Sequence, residues 1–167
     1  MQFYKKFFLL LFIFFLKINV VYSAENVAFI DMEFIIKNSN MGKLVLNKIK
    51  NKNNENLEKL KKRESELKKK EDSVKSKKNI LSKEELDKEI NELNKLLKKL
   101  REEKNTMVKD ISLMKEKEFN NFYKEINPII QTYMEENNIE ILLDRKNIFI
   151  GKSNSNITEN ILKIVNK

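Results

Sequence analysis

Cysteine, histidine and tryptophan are absent from this 167-residue chain, and it holds only two Gly and one Pro. Each absence closes off a class of protein. Without Cys or His there is no disulfide, no thiol nucleophile, no imidazole acid/base pair and no His/Cys zinc site. With so few turn formers, an all-β domain cannot be punctuated into short strands, so a few long elements are expected and helix must dominate. Carboxylate-only catalysis or hard-metal binding by Asp and Glu is chemically open, but no constellation of acids suggests a reaction. The expectation is a protein that is not an enzyme and uses no cofactor. What the chain has in abundance is charge: 35% of its residues are Asp, Glu, Lys or Arg, with a net charge of +9.

The first 24 residues stand apart, with Lys5 and Lys6 ahead of an apolar run from Phe7 to Leu16, and six of the eleven Phe. A run of about ten residues is too short for a bilayer core, which needs about 20. It reads as a secretory signal peptide, with Val21 and Ser23 at the small-residue cleavage positions, giving a segment 1–23 that is removed. The alternative is an uncleaved signal anchor in which Lys17 snorkels. Cleavage removes three Lys and no acid, leaving 144 residues with net charge +6. An exported chain without Cys is unremarkable, since disulfides are optional in an oxidising compartment.

The remaining charge is unevenly placed. Residues 43–79 carry 14 Lys/Arg against 6 Asp/Glu, or +8, whereas residues 80–118 carry 10 of each. Nucleic acid is not the expected partner of the basic stretch. Phe and Tyr are missing from residues 42–118, so nothing offers exposed bases a stacking surface. A field of that size attracts acidic polymers or anionic lipid head groups within a Debye length of about 8 Å at physiological salt. The residues singled out for partner contact are Lys61, Lys62, Arg63, Lys68, Lys69, Lys70, Lys77 and Lys78, together with Ile80 and Leu81 at a helix reversal with few neighbours to bury them.

Hydrophobic patterning divides the mature chain into two ends and a long middle. Val27 to Asp31 reads as a buried strand, and Ile139–Leu143 with Ile148–Ile150, joined through Arg145, Lys146 and Asn147, as a β-hairpin. Three short strands far apart in sequence would form one small sheet. The middle has no Gly after Gly42 and no Pro before Pro128. In its second half Leu86, Ile90, Leu93, Leu97, Leu100, Met107, Ile111 and Met114 occupy alternating spacings of four and three, with Lys104 and Glu118 the exceptions, a coiled-coil seam. The first half is thinner, with Leu57, Leu60, Leu67 and Val74, so this polar helix must lean on the second. Asn79–Ser82 is the reversal, and Ser82 followed by Glu85 fits a capping box. The returning helix, to about Asn137, would reach roughly 80 Å, with a kink expected at Pro128. Phe119, Phe122, Tyr123, Ile126, Ile129, Ile130 and Tyr133 at its base are expected to pack on the sheet. A last amphipathic helix spans Ile157–Val165, capped by Asn156 or Thr158.

The fold class expected is thus α+β, mostly α: a small β body carrying a long antiparallel coiled-coil hairpin. The boundaries are 24–42 for the N-terminal strand and start of the body, 43–118 for the arm, and 119–167 for the helix base, β-hairpin and C-terminal helix.

Val27-Ala28-Phe29-Ile30-Asp31-Met32, then Ser39 and Gly42-Lys43, then the charged hairpin, then Ile139 to Asp144 and Asn156-Ile157-Thr158, resemble the Skp/OmpH family of periplasmic chaperones across the whole mature chain. The two terminal motifs carry the resemblance, since any coiled coil matches the middle. Lys152-Ser153-Asn154-Ser155 stands where the family commonly has an Asp-Pro turn. The resemblance implies a homotrimer whose short strands build a barrel-like body. Val27, Phe29, Ile141, Leu143, Ile148 and Phe149 would supply those strands. Three arms would hang from the body around a cavity that holds unfolded outer-membrane proteins without ATP. The rival reading is an envelope coiled-coil scaffold, possibly anchored by its signal.

Overall fold

The computed structural model describes residues 26–167; the signal segment 1–23 lies outside them. Strand β1 (Val27–Ile30) leads into helix α1 (Met32–Asn38), and helix α2 (Asn40–Lys77) turns back as helix α3 (Lys83–Glu136). Strand β2 (Ile141–Asp144), two single 3₁₀ turns and helix α4 (Thr158–Val165) complete the chain.

Local chemistry sets each junction. Asp31 caps α1 by accepting from the Phe34 N–H, and Ser39, fully buried, ends α1 and caps α2 by accepting from the Gly42 N–H. The arm helix therefore begins at Asn40, and α1, a short helix that the sequence pattern does not announce, lies folded back against it. Gly42 makes this fold-back possible: a Cβ there would lie 2.0 Å from the backbone oxygen of Ile36. The expected capping box at Ser82 and Glu85 is present in both directions. The expected packing of the α3 base holds in part: Phe122, Ile126 and Ile130 are buried and Tyr133 packs against the core, whereas Phe119 and Ile129 are half-buried and Tyr123 is exposed. The helix runs unbroken through Pro128, whose missing N–H leaves only the carbonyl of exposed Lys124 without its helical partner.

The stripe on α3 has two regimes. From Leu86 to Met114 it follows a spacing of fours and threes toward α2, with Leu86, Leu93, Leu97, Leu100, Met107, Ile111 and Met114 half-buried and Ile90 and Lys104 exposed; from Met114 it advances by fours through Glu118, Phe122, Ile126 and Ile130. Each step of four carries the stripe about 40° around the helix. The buried face thus swings from α2 onto the body, where Phe122, Ile126 and Ile130 meet Ala28, Ile30, Ile35, Ile157 and Ile161.

The sheet departs from expectation. It has two strands, β1 and β2, paired in parallel with Val27 opposite Ile141 and Phe29 opposite Leu143. No hairpin forms. Asp144 accepts from the Lys146 N–H and turns Arg145–Asn147 into a 3₁₀ turn. Without Gly, this connector also lacks the residue that most readily adopts the left-handed turn of a tight hairpin. Ile148 and Phe149 therefore belong to an irregular segment in this chain and not to a strand. The other edge of β1 is taken by the 156–157 segment, with Ile157 N–H donating to the Phe29 carbonyl. Helix α4 is tied to β1 by its own polar links: Thr158 Oγ1 accepts from the Asp31 N–H and donates to Asn156 Oδ1. Neither Asn156 nor Thr158 is the cap residue; Ile157 holds that position without a side-chain bond.

Gly42→Ala is expected to cost about 1–3 kcal/mol, because the clashing atom is backbone and cannot rotate away. A thermal melt followed by circular dichroism checks this; an unchanged midpoint would show that α1 can shift freely.

Candidate functional site

Two surfaces carry the functional possibilities: the arm and the outer face of the sheet.

On the arm, α2 meets α3 through two lines of residues. One is apolar, made of Leu60, Leu67 and Val74. The other, offset by three or four, begins with Ile49 and continues with Asn56, Arg63 and Lys70. This second line is why the helix looked thin in sequence. Its positions are occupied, but by polar residues, and a search for apolar residues alone passes over them. The seven-residue spacing from Ile49 is the signal that finds them.

The polar line is met by acids on the returning helix. Lys70 pairs with Glu89 and, at 3.1 Å, with Glu92. Arg63 reaches Glu103 at 3.6 Å and its own-helix neighbour Glu66 at 3.1 Å. Lys48 bonds Glu118 at 2.5 Å, and Asn56 is buried. The hydrogen bond from Lys70 holds the Glu89 carboxyl below its ordinary value, and the bonds to Glu89 and Glu92 hold the Lys70 ammonium above its own. A small pocket of about 140 Å³ opens beside Arg63, between Leu67, Leu96 and Leu100.

The basic residues singled out in sequence therefore divide. Arg63 and Lys70 bridge the two helices. Lys61, Lys62, Lys68, Lys69, Lys77 and Lys78 are exposed, and no ion pair holds them among the described residues. Lys61–Lys62 and Lys68–Lys69 repeat every seven residues, with Lys75 following, and so form one basic ridge on the side away from the seam. At the tip Ile80 is 82% exposed, while Leu81 is half-buried.

On the body, alternation and register place Val27, Phe29, Ile141 and Leu143 on one face of the sheet, opposite the helices that cover Ala28, Ile30 and Leu142. Phe29 is covered by its own chain, its ring lying 5.7 Å from the Arg145 guanidinium and against Gly151. The other three are not: Val27, Ile141 and Leu143 are each about two-fifths exposed, and nearby in sequence Phe149 is wholly exposed. Ile148 is half-buried. Four of the six body residues picked from sequence thus share one apolar face, although only four of the six lie in strands.

A long two-helix arm rising from a small α/β body defines the class of the molecule. The chain belongs to the OmpH-like outer membrane protein family, whose model matches residues 26–165. Among solved structures it is similar in fold to a provisionally assigned OmpH-like outer membrane chaperone from Caulobacter crescentus. That similarity has a TM-score of 0.77 at 17% identity and covers 86% of this chain and 85% of the other. No curated protein matches it in sequence.

The polar seam has a pH signature. Because Glu89 is lowered in the folded arm, its contribution is complete above the ordinary value of 4.5 and is lost as pH falls through the lowered one. Because Lys70 is raised, its contribution is complete below 10.5 and lost only as pH rises beyond that. Acidification through the carboxylate range is expected to separate the outer halves of α2 and α3, read as a longer distance between spin labels on the two helices. Lys70→Ala is expected to loosen the arm at neutral pH and blunt this acid response; an identical acid response in the variant would reject the Lys70–Glu89 pair as its source.

Proposed function

We propose that this protein is an ATP-independent holdase of the periplasm, which takes unfolded outer-membrane proteins into a space between helical arms and keeps them from aggregating. The observation that carries the reading is the pairing of an unclosed apolar sheet face with a long, strongly basic arm on one chain. The sheet face supports assembly. A two-stranded sheet with Val27, Ile141 and Leu143 left open is too small to shield itself, and β2 has an unpaired edge among the described residues. Sister subunits supplying the same elements would cover both. In a homotrimer, the body comprises residues 24–42 and 119–167 and the arms residues 43–118, after removal of signal peptide 1–23.

The arms support capture. Three copies of the ridge formed by Lys61, Lys62, Lys68 and Lys69 would surround the cavity and attract acidic clients over nanometre distances. Retention needs many weak, adaptable contacts, and a seam that mixes leucine with ion pairs leaves the arm free to adjust around different guests. No catalytic group, nucleotide or cofactor enters this reading. The second reading is an envelope scaffold, with the same arm serving as a spacer.

Three outcomes are expected. The exported protein has the solution mass of a trimer and an N-terminus near Ala24, while a membrane-bound species retaining Met1 favours the scaffold. Leu143→Asp with Phe149→Asp breaks the assembly, and an intact trimer in that variant would move the interface elsewhere. Stoichiometric protein suppresses aggregation of a denatured β-barrel protein without nucleotide. In that assay Lys68→Glu with Lys69→Glu slows capture about tenfold at low salt and flattens its salt dependence; no protection by the unaltered protein rejects the holdase.

A further inference from the structure

The polar side of the arm seam is hollow. The pocket beside Arg63 continues toward the body into a second, more open cavity of about 480 Å³, and the two share Lys99 and Glu103 as a common wall. Together they form one groove that follows α3 from Leu96 to Asp110, about 21 Å at 1.5 Å per residue. Its ends differ in chemistry. The outer end is apolar, with Leu67, Leu96 and Leu100 around a space of about 140 Å³, close to the roughly 150 Å³ apolar cavity that accepts a benzene ring. Leu96 is 44% exposed, so this space is reached from solvent. Lys99 at its rim has no ion-pair partner among the described residues.

The inner end holds a polar group without a partner. Asn56 lines it and is only 7% exposed. Among the described residues its side chain makes no hydrogen bond, and the amide is not sealed off from the cavity. A carboxamide left this way forgoes both a donor and an acceptor bond, a cost that a ligand can remove. Asn56 lies one heptad from Arg63, about 10 Å along the helix and about three residues of extended chain.

We propose that this groove seats one extended segment of an unfolded polypeptide, with an aromatic side chain between Leu67, Leu96 and Leu100 beneath the Lys99 ammonium and the segment's backbone bonded to the Asn56 carboxamide. The proposal rests on the holdase reading for the supply of such chains and adds a defined seat to it. The chemistry selects the occupant. The inner cavity sets Lys52, Lys59 and Lys99 against Glu102, Glu103 and Asp110, equal numbers of each sign, so the groove does not select a polyanion as the outer lysine ridge does. A helix from a sister arm has its backbone N–H and C=O groups bonded internally and would leave Asn56 unpaired, whereas an extended chain offers both groups at every residue. A small aromatic molecule would fill the leucine end without reaching Asn56. The cation at the rim favours an aromatic over an aliphatic side chain. The arm cannot fill the space itself, since residues 42–118 contain no Phe or Tyr.

The test is a titration of the exported protein, with labelled leucine methyl and side-chain amide groups, followed by nuclear magnetic resonance. The probe is an uncharged, end-capped peptide of about eight residues, long enough to span the groove, made of Gly and Ser with one central Phe. It is expected to shift the Leu67, Leu96 and Leu100 methyl signals and the Asn56 amide signal together, and the same peptide with Ser in place of Phe is expected to bind about ten-fold more weakly. Leu96→Phe puts the chain's own ring in the space and should weaken the Phe peptide about ten-fold. Asn56→Leu should weaken it about five-fold while raising the thermal midpoint of the arm, since it replaces a polar seam residue by an apolar one; weaker binding there cannot come from a loosened arm. Equal binding of the two peptides, shifts that spare the three leucines, or unchanged binding in both variants overturns the proposal. If the peptide seats and the protein protects no client, the holdase reading falls and the seat stands; if clients are protected and the peptide leaves these signals unmoved, the seat falls and the holdase reading stands.

Discussion

One helix has to satisfy two partners. Over its outer length α3 gives its apolar stripe to α2, and over its base it gives the continuation of that stripe to β1, α1 and α4. The switch is made by spacing alone, as steps of three and four give way to successive fours after Met114, and no break or loop is needed. Because the helix is continuous from Lys83 to Glu136, the direction of the arm is fixed by how Phe122, Ile126 and Ile130 sit in the body. A change in that core is therefore a change in where the arm points.

The seam above it is built on a different balance. Leu60, Leu67 and Val74 give α2 one apolar contact per two turns, and Arg63 and Lys70 occupy the alternate places with carboxylates opposite. Exposed ion pairs contribute little individually and are screened by salt, so this arm is held in register more than it is held rigid. The same element of sequence, a lysine-rich helix, thus has two chemical roles sorted by position around the helix. Residues on the seam fasten the hairpin, and those on the ridge are left for whatever approaches from solvent.

Much of this was legible from residue order. The arm, its reversal, the capping box, the packed base and the family resemblance all rest on signals within one element, such as a seven-residue period or a Ser–Glu pair three apart, and these survive into the structure. The sheet was harder. Val27–Ile30 and Ile141–Asp144 have the composition of strands, but whether Ile148–Ile150 pairs with its neighbour depends on a turn, and Asp144 captures the Lys146 N–H and turns the chain away. Helix α1 was missed because it is seven residues long and held by its caps, Asp31 and Ser39, and by close packing at Gly42, none of which leaves a periodic trace. The arm lysines stand out in the sequence as a group, while their division needed the positions of Glu89, Glu92 and Glu103 across the seam.

The pairing of β1 with residues 141–144 and with Asn156 joins the two ends of the described chain across more than a hundred intervening residues. Contacts of such separation form late, because a long loop must be closed before they are gained. The hairpin has the reverse economy, since its turn is local and each further pair of residues lies just beyond the last. The chain therefore has a built-in order of assembly: the arm zips from its tip toward its base, and in doing so delivers the two strand-forming ends to one another. Until the last residues, including Ile157 and Ile161, have emerged, Ala28 and Ile30 lack part of their cover, and the body is the final part of the molecule to be completed.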